Sequence, residues 1–126
     1  MATKEKEAKE KEAKVEEEKQ VRAGIPKDWV PANIQISTDI KFCDMKVDMK
    51  DYALQITEYI YVQMVKNEIA YLKDAAEHIK KGFEEEFKGC WHVVCGVNFG
   101  SFFEYESKAC ILLYRNHVGF LIWKFG

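Results

Sequence analysis

The spacing of apolar residues changes period twice along this chain, and that succession limits the fold more than any other feature. From Asn33 the pattern alternates, with Ile34, Ile36, Ile40 and Phe42 at even positions and polar residues largely between them. A period of two puts alternate side chains on one face, so this stretch reads as one strand, or as two broken near Ser37–Asp39. The period then lengthens. From about Lys50 to Lys66, Tyr52, Ile56, Tyr59, Ile60 and Met64 share one helical face. A second helix carries Ile69, Leu72, Ala76, Ile79, Phe83 and Phe87 at spacings of three and four, with charges on its other face. Lys88-Gly89 marks its end. The last third returns to β: Trp91–Cys95, a turn at Gly96-Val97-Asn98, then Phe99–Tyr105, Lys108–Tyr114 and Val118–Phe125, the last two hinged at Arg115-Asn116-His117. Strand, helix pair and strand run without βα alternation predict an α+β fold on an antiparallel sheet.

What precedes this domain has a different composition. Between Lys4 and Lys19, 13 of 16 residues are Lys or Glu. Glu5–Lys9, Glu7–Lys11 and Glu10–Lys14 stand at the favourable i,i+4 spacing, but at ~0.2–0.5 kcal/mol each they hold no short helix in water. No apolar seam supports a coiled coil. The expected organisation is a disordered charged tail over 1–22, a linker over 23–33 containing Pro26 and Pro31, and a folded domain over 34–126. Trp29, inside the linker, is expected to anchor it to the domain. With a net charge of −2, the chain lacks the basic excess of a nucleic-acid-binding domain. No apolar run is long enough to span a membrane, and charge fills the place of a signal peptide's apolar region.

Four cysteines, Cys43, Cys90, Cys95 and Cys110, are too few to staple a chain of 126 residues that can bury a core of its own. Cys90, His92 and Cys95 would interest zinc, but in a strand Cys90 and His92 share one face while Cys95 points to the other. A Cys90–His92 nucleophile pair has no evident orienting carboxylate. Gly96-x-x-x-Gly100 lacks the Lys-Ser/Thr of a phosphate-binding loop and lies between strands. No cofactor, metal or catalytic residue is therefore expected. Phe99-Gly100-Ser101-Phe102-Phe103-Glu104-Tyr105 stands out as an aromatic strand with a glycine where another backbone could lie close. It reads either as an ordinary strand with a bulge or as an edge that accepts a peptide by β-augmentation.

His78-Ile79-Lys80-Lys81, Trp91-His92, Gly96-x-Asn98-Phe99-Gly100-Ser101 and the closing Lys124-x-Gly126 resemble the smallest class of dynein light chains, the dimeric hubs distinct from the Tctex and roadblock classes. The resemblance is continuous from about Lys73 to Gly126 and looser back to about Phe42. It implies a β-sandwich dimer flanked by helix pairs, in which Phe99–Tyr105 crosses to the partner's sheet. A client peptide then adds beside that strand, against the second helix. The peptide-binding residues implied are Leu72, Lys73, Phe99, Gly100, Ser101, Phe102, Phe103, Glu104, Tyr105, Leu112 and Tyr114. Those implied at the dimer interface are Trp91, His92, Phe102, Glu104 and Phe125. Family clients often carry a Thr-Gln-Thr core whose glutamine caps the helix end matched by Leu72-Lys73.

Several positions depart from the family pattern. Phe102 and Leu112 stand where tyrosines are usual, although Tyr114 is kept. Glu104-Tyr105 replaces a Thr-His pair, Val97 an arginine, and Phe125 a serine tied to a phosphorylation switch. The implied role is a non-catalytic light chain of the dynein motor that dimerises, with itself or another light chain of its class, and bundles dynein intermediate chains. The altered groove and added tail suggest an axonemal paralogue of cilium or flagellum, in the cytoplasm and cytoskeleton. A general dimerisation hub for non-dynein clients is the alternative. A redox or metal protein using Cys90, His92 and Cys95 is the competing reading from another class.

Overall fold

The computed structural model describes residues 22–31 and 33–126; the Lys/Glu stretch expected to be disordered lies outside them, apart from Arg22. In chain order the elements are β1 (Thr38–Met45), α1 (Val47–Val65), α2 (Leu72–Phe87), β2 (Trp91–Gly96), β3 (Ala109–Arg115) and β4 (Val118–Lys124). The strands form one antiparallel sheet in the order β1-β3-β4-β2, the α+β arrangement that the change of period predicts. Two expectations need correcting. Ile34 and Ile36 precede the first ladder residue, Thr38, because alternation reports half-burial and a ladder also requires a neighbour; Ile36 packs against the core all the same. Phe99–Tyr105 joins no sheet.

The helices pack on one face of the sheet. Tyr52, Ile56 and Ile60 of α1 and Ile79 and Phe83 of α2 meet Trp91, Ile111, Leu113, Phe120 and Ile122, all fully buried. Strand alternation leaves Cys110, Leu112, Tyr114, Gly119, Leu121 and Trp123 on the other face. α2 stops at Phe87 because Lys88 and Gly89 both take positive φ, 58° and 91°. The β3–β4 connection contains Asn116 and His117, shorter by one residue than the expected hinge, because Arg115 already pairs with Val118. Arg115 is buried and fully engaged, donating to the Thr57 hydroxyl, the Thr38 hydroxyl and the Leu54 carbonyl. Asn116 accepts from the Ser37 amide at 2.8 Å and donates to the Tyr61 hydroxyl at 2.9 Å, so the turn ties the start of β1 to α1.

Candidate peptide-binding edge and dimer surface

The strand order leaves β2 at one border of the sheet, with β4 on its inner side and no strand on its outer edge among the described residues, where the Trp91 carbonyl accepts from the Lys80 ammonium at 2.8 Å. The chain turns after Gly96 and runs through Phe99–Tyr105 without a ladder partner. Its aromatic rings hold it against the outer sheet face. Phe99 rests over the facing pair Gly96 and Gly119, where an added Cβ on Gly119 would meet the Tyr114 ring at 2.9 Å and the Phe99 ring at 3.1 Å. The Phe103 ring lies 4.4 Å from that of Trp123, and Tyr105 meets Phe42 of β1 edge-on at 6.0 Å. Phe102 points the other way and is fully exposed, and Gly100, Ser101 and Glu104 are exposed as well. The segment ends where the Glu106 amide donates to the Lys124 carbonyl at 2.8 Å and Asp44 accepts from the Lys108 amide at 3.2 Å. That backbone donor holds the Asp44 carboxyl below its usual range.

This is the physical reason for the missing strand. The sequence has strand-forming residues, but pairing requires a second backbone, and a single chain offers none at this border. Gly100 is open space rather than a close approach: an added Cβ would meet nothing within 4 Å.

The other predicted residues divide between the two faces. Leu112 and Tyr114 are half-buried on the outer face with Phe99 and Phe103. Leu72 and Lys73 open α2, whose N-cap, Tyr71, supplies no side-chain cap, so the Leu72 and Lys73 N–H groups remain available to an outside acceptor, while that of Asp74 already donates to the Tyr71 carbonyl. His92 stacks on Trp123 at 5.3 Å, and its Nε2 donates to the Phe125 carbonyl at 3.0 Å. Phe125 is partly exposed beside it. Trp91 does not belong with these. It is fully buried on the helix side, 4.7 Å from Phe83 between ring centroids, and its indole donates to the Lys88 carbonyl at 2.7 Å. Strand alternation turns Trp91 inward wherever it turns His92 outward.

The cysteines follow the same alternation. The Cys90 sulfur is 3.8 Å from the His92 Nε2, whereas Cys95 packs against the core, so the three do not converge. Burial pushes the Cys95 thiol up to about 12 and the Cys110 thiol up to about 11, which keeps both protonated and unreactive near neutrality. Sequence reasoning missed Gly119, Trp123 and Phe42, which seat the segment. Their roles come from the cross-strand register, which one sequence does not display.

Comparison with known proteins agrees with this geometry. The family described as dynein light chain type 1 matches residues 37–125. The cytoplasmic dynein light chain of Emericella nidulans is 36% identical over 90 residues, covering 71% of this chain and 90% of that protein. Among solved structures, the dynein light chain-like domain of the Fasciola hepatica calcium binding protein FhCaBP2 is similar in two crystal forms. One has a TM-score of 0.58 at 18% identity, covering 74% of this chain and 96% of that one. The other has a TM-score of 0.59 at 17% identity, covering 78% and 100%. At those identities the likeness is one of fold.

Proposed function

This chain belongs to the dynein light chain type 1 family, and from that membership we propose that its working form is a strand-exchanged dimer that binds client peptides by β-augmentation. The family is one of non-catalytic adaptors, and the chain is a dynein light chain whose partners lie in the dynein complex. The single observation supporting the finer reading is an unladdered aromatic segment, Phe99–Tyr105, leaving the sheet beside the open edge of β2. In the proposed assembly this segment pairs with the partner's β2, and a client backbone adds beyond it as a further strand. Dynein intermediate chains are the proposed clients. Leu72 and Lys73 present uncapped amides to a client side chain, while Phe102, Glu104 and Tyr105 read the client sequence. His92 and Phe125, on the outer face, meet the second protomer, which is a copy of this chain or another light chain of its class. Two such grooves hold two copies of a client in register.

The site of action we propose is the cytoplasm, the location carried in the name of the Emericella nidulans relative, and its cytoskeleton. The replaced groove residues and the Lys/Glu extension support a place in the axoneme of a cilium or flagellum. Isolation of the native complex, with every co-purifying chain identified, tests this directly. Dynein intermediate chains are expected, together with axonemal heavy chains. Recovery of non-dynein clients alone would replace the reading with that of a general hub. Sedimentation of the full chain, alone and with any co-purifying light chain, is expected to give a dimer mass; a monomer in both would overturn the exchange.

A further inference from the structure

Arg22–Trp29 lies outside the fold's regular elements, yet it sits between α1 and α2 with residues 22–25 and 29 partly buried and 26–28 exposed. The Ala23 carbonyl accepts from the Tyr52 hydroxyl of α1 at 2.5 Å, and the Gly24 carbonyl accepts from the His78 Nε2 of α2 at 2.6 Å. Each helix therefore contributes one donor to consecutive backbone carbonyls. Gly24 has φ +75°, and a Cβ there would also crowd His78 at 3.2 Å and Ile56 at 3.3 Å, so this position takes glycine on two counts. Gly82 forms the floor, where a Cβ would press on Ile56 at 2.7 Å and the Tyr52 hydroxyl. One end is acidic. Arg22 pairs with Asp48 at 3.0 Å, lies 3.7 Å from Glu86 and stands over the Tyr52 ring at 5.2 Å. At the other end Trp29 meets Tyr59 edge-on at 5.4 Å.

The docking is specific without being tight. The Arg22 Nε, the Trp29 indole nitrogen and the Glu86 Oε2 are buried without a hydrogen-bond partner among the described residues. The Arg22–Glu86 approach is close enough for attraction and too long for a hydrogen bond. Ordering the segment costs backbone entropy at every residue, and the three buried groups left without a partner add to that cost, which favours local opening of this segment over opening of the core.

We propose that the α1–α2 cleft is a second peptide-binding site of this protein, separate from the sheet edge, with Arg22–Trp29 as its resident ligand docked in cis. The ligand class is a peptide that folds into two successive turns, closed in the resident segment by Ile25 to Arg22 and Trp29 to Pro26 backbone bonds, and that bears arginine, a small residue and glycine in succession, with tryptophan five positions after the glycine. Because the resident segment is tethered, it competes at high effective concentration, and a free peptide of the same chemistry binds well only when the tether lets go. The cleft thus fixes the root of the Lys/Glu extension to the helices.

The test uses the full chain and a fluorescent synthetic peptide of residues 20–31. Arg22→Glu places a carboxylate against Asp48 and Glu86. It is expected to speed hydrogen exchange of the Ile25 and Trp29 amides by about tenfold or more, while core amides keep their protection. The released cleft should then bind the labelled peptide at least roughly tenfold more tightly than wild type does. Tyr52→Phe, which keeps the ring and removes only the donor, should give the same changes at smaller size. Ser101→Pro should leave peptide binding as in wild type, because the sheet edge is a different site. Unchanged exchange in Arg22→Glu, equal peptide binding by Arg22→Glu and wild type, or loss of peptide binding in Ser101→Pro would overturn the proposal.

Discussion

Two segments of this protein lack regular structure, and they are held in opposite ways. Arg22–Trp29 is held by its backbone: consecutive carbonyls accept from Tyr52 and His78. Phe99–Tyr105 is held by its rings, with Phe99 over Gly119, Phe103 on Trp123 and Tyr105 on Phe42. Among the described residues no backbone hydrogen bond is made anywhere from Val97 to Tyr105. An exposed backbone of extended, strand-forming residues is what a second chain needs for ladder pairing. The comparison separates two uses of irregular chain. One segment has backbone partners already, and the other leaves its own unmade.

The largest test of that difference is Ser101→Pro. Proline removes a ladder donor and restricts the residue before it, so dimer formation and client binding should weaken by about a hundredfold or more. Circular dichroism of the helices should not change, since this backbone is unpaired in the single chain. A variant that sediments and binds as wild type would show that Phe99–Tyr105 is not the receiving edge. Gly119→Val attacks the ring contacts instead. Its side chain needs space held by Tyr114 and Phe99, and overpacking of this kind costs about 1–3 kcal/mol in thermal or denaturant unfolding. In the proposed dimer the exchange of residues 97–105 should rise, while that of 22–31 should not.

A third test concerns β2, the strand from which the free segment departs. Burial raises the Cys95 thiol to about 12, above the ordinary value of about 8.5. The folded state therefore holds this proton more tightly than the unfolded state. The stability it contributes is complete below about pH 8.5 and is lost as pH rises toward about 12. Melting of wild type and Cys95→Val between pH 7 and 10.5 should show a steeper alkaline loss in wild type. Maleimide at pH 8 should label exposed Cys43 and spare Cys95. Equal labelling would contradict the burial. The smallest effect belongs to Glu104, exposed on the segment's free side. Opposite charge at a cross-strand position is worth roughly 0.2–1 kcal/mol, so lysine-substituted client peptides should bind a few-fold better than glutamate-substituted ones. Glu104→Gln should erase the preference.

Most of the fold was legible because period reports burial. The spacing from Ile69 to Phe87 located α2, and Lys88-Gly89 supplied the two positive-φ residues that stop it. Trp29 was expected to anchor the linker, and its ring lies on Tyr59. The early start assigned to β1, and the strand assigned to Phe99–Tyr105, share one cause: composition shows that a residue suits a sheet but not whether a neighbouring backbone is present. Resemblance puts Trp91 at the dimer contact, whereas alternation against His92 turns its side chain into the core. The site residues carried by resemblance were nearly all in the unladdered segment or on the outer face. Gly119 and Trp123 were beyond reach because their partners come from strand register. Arg22 read as part of the charged tail, yet its guanidinium binds Asp48 and Tyr52. Nothing in a run of Lys and Glu sets apart the one arginine that docks.

The attachment of Arg22 to the helices also has a mechanical meaning. In a motor assembly, a pull on the extension enters the domain at residue 22. It is met first by the Arg22–Asp48 pair and then by the two carbonyl bonds to Tyr52 and His78. Each of these anchors sits on a helix, whereas Phe99–Tyr105 leans on the sheet. Tension would peel the arm away link by link, like a seam opened from one end, before it strained the sheet. The arm is a sacrificial fastening: it yields under load while the sheet stays intact.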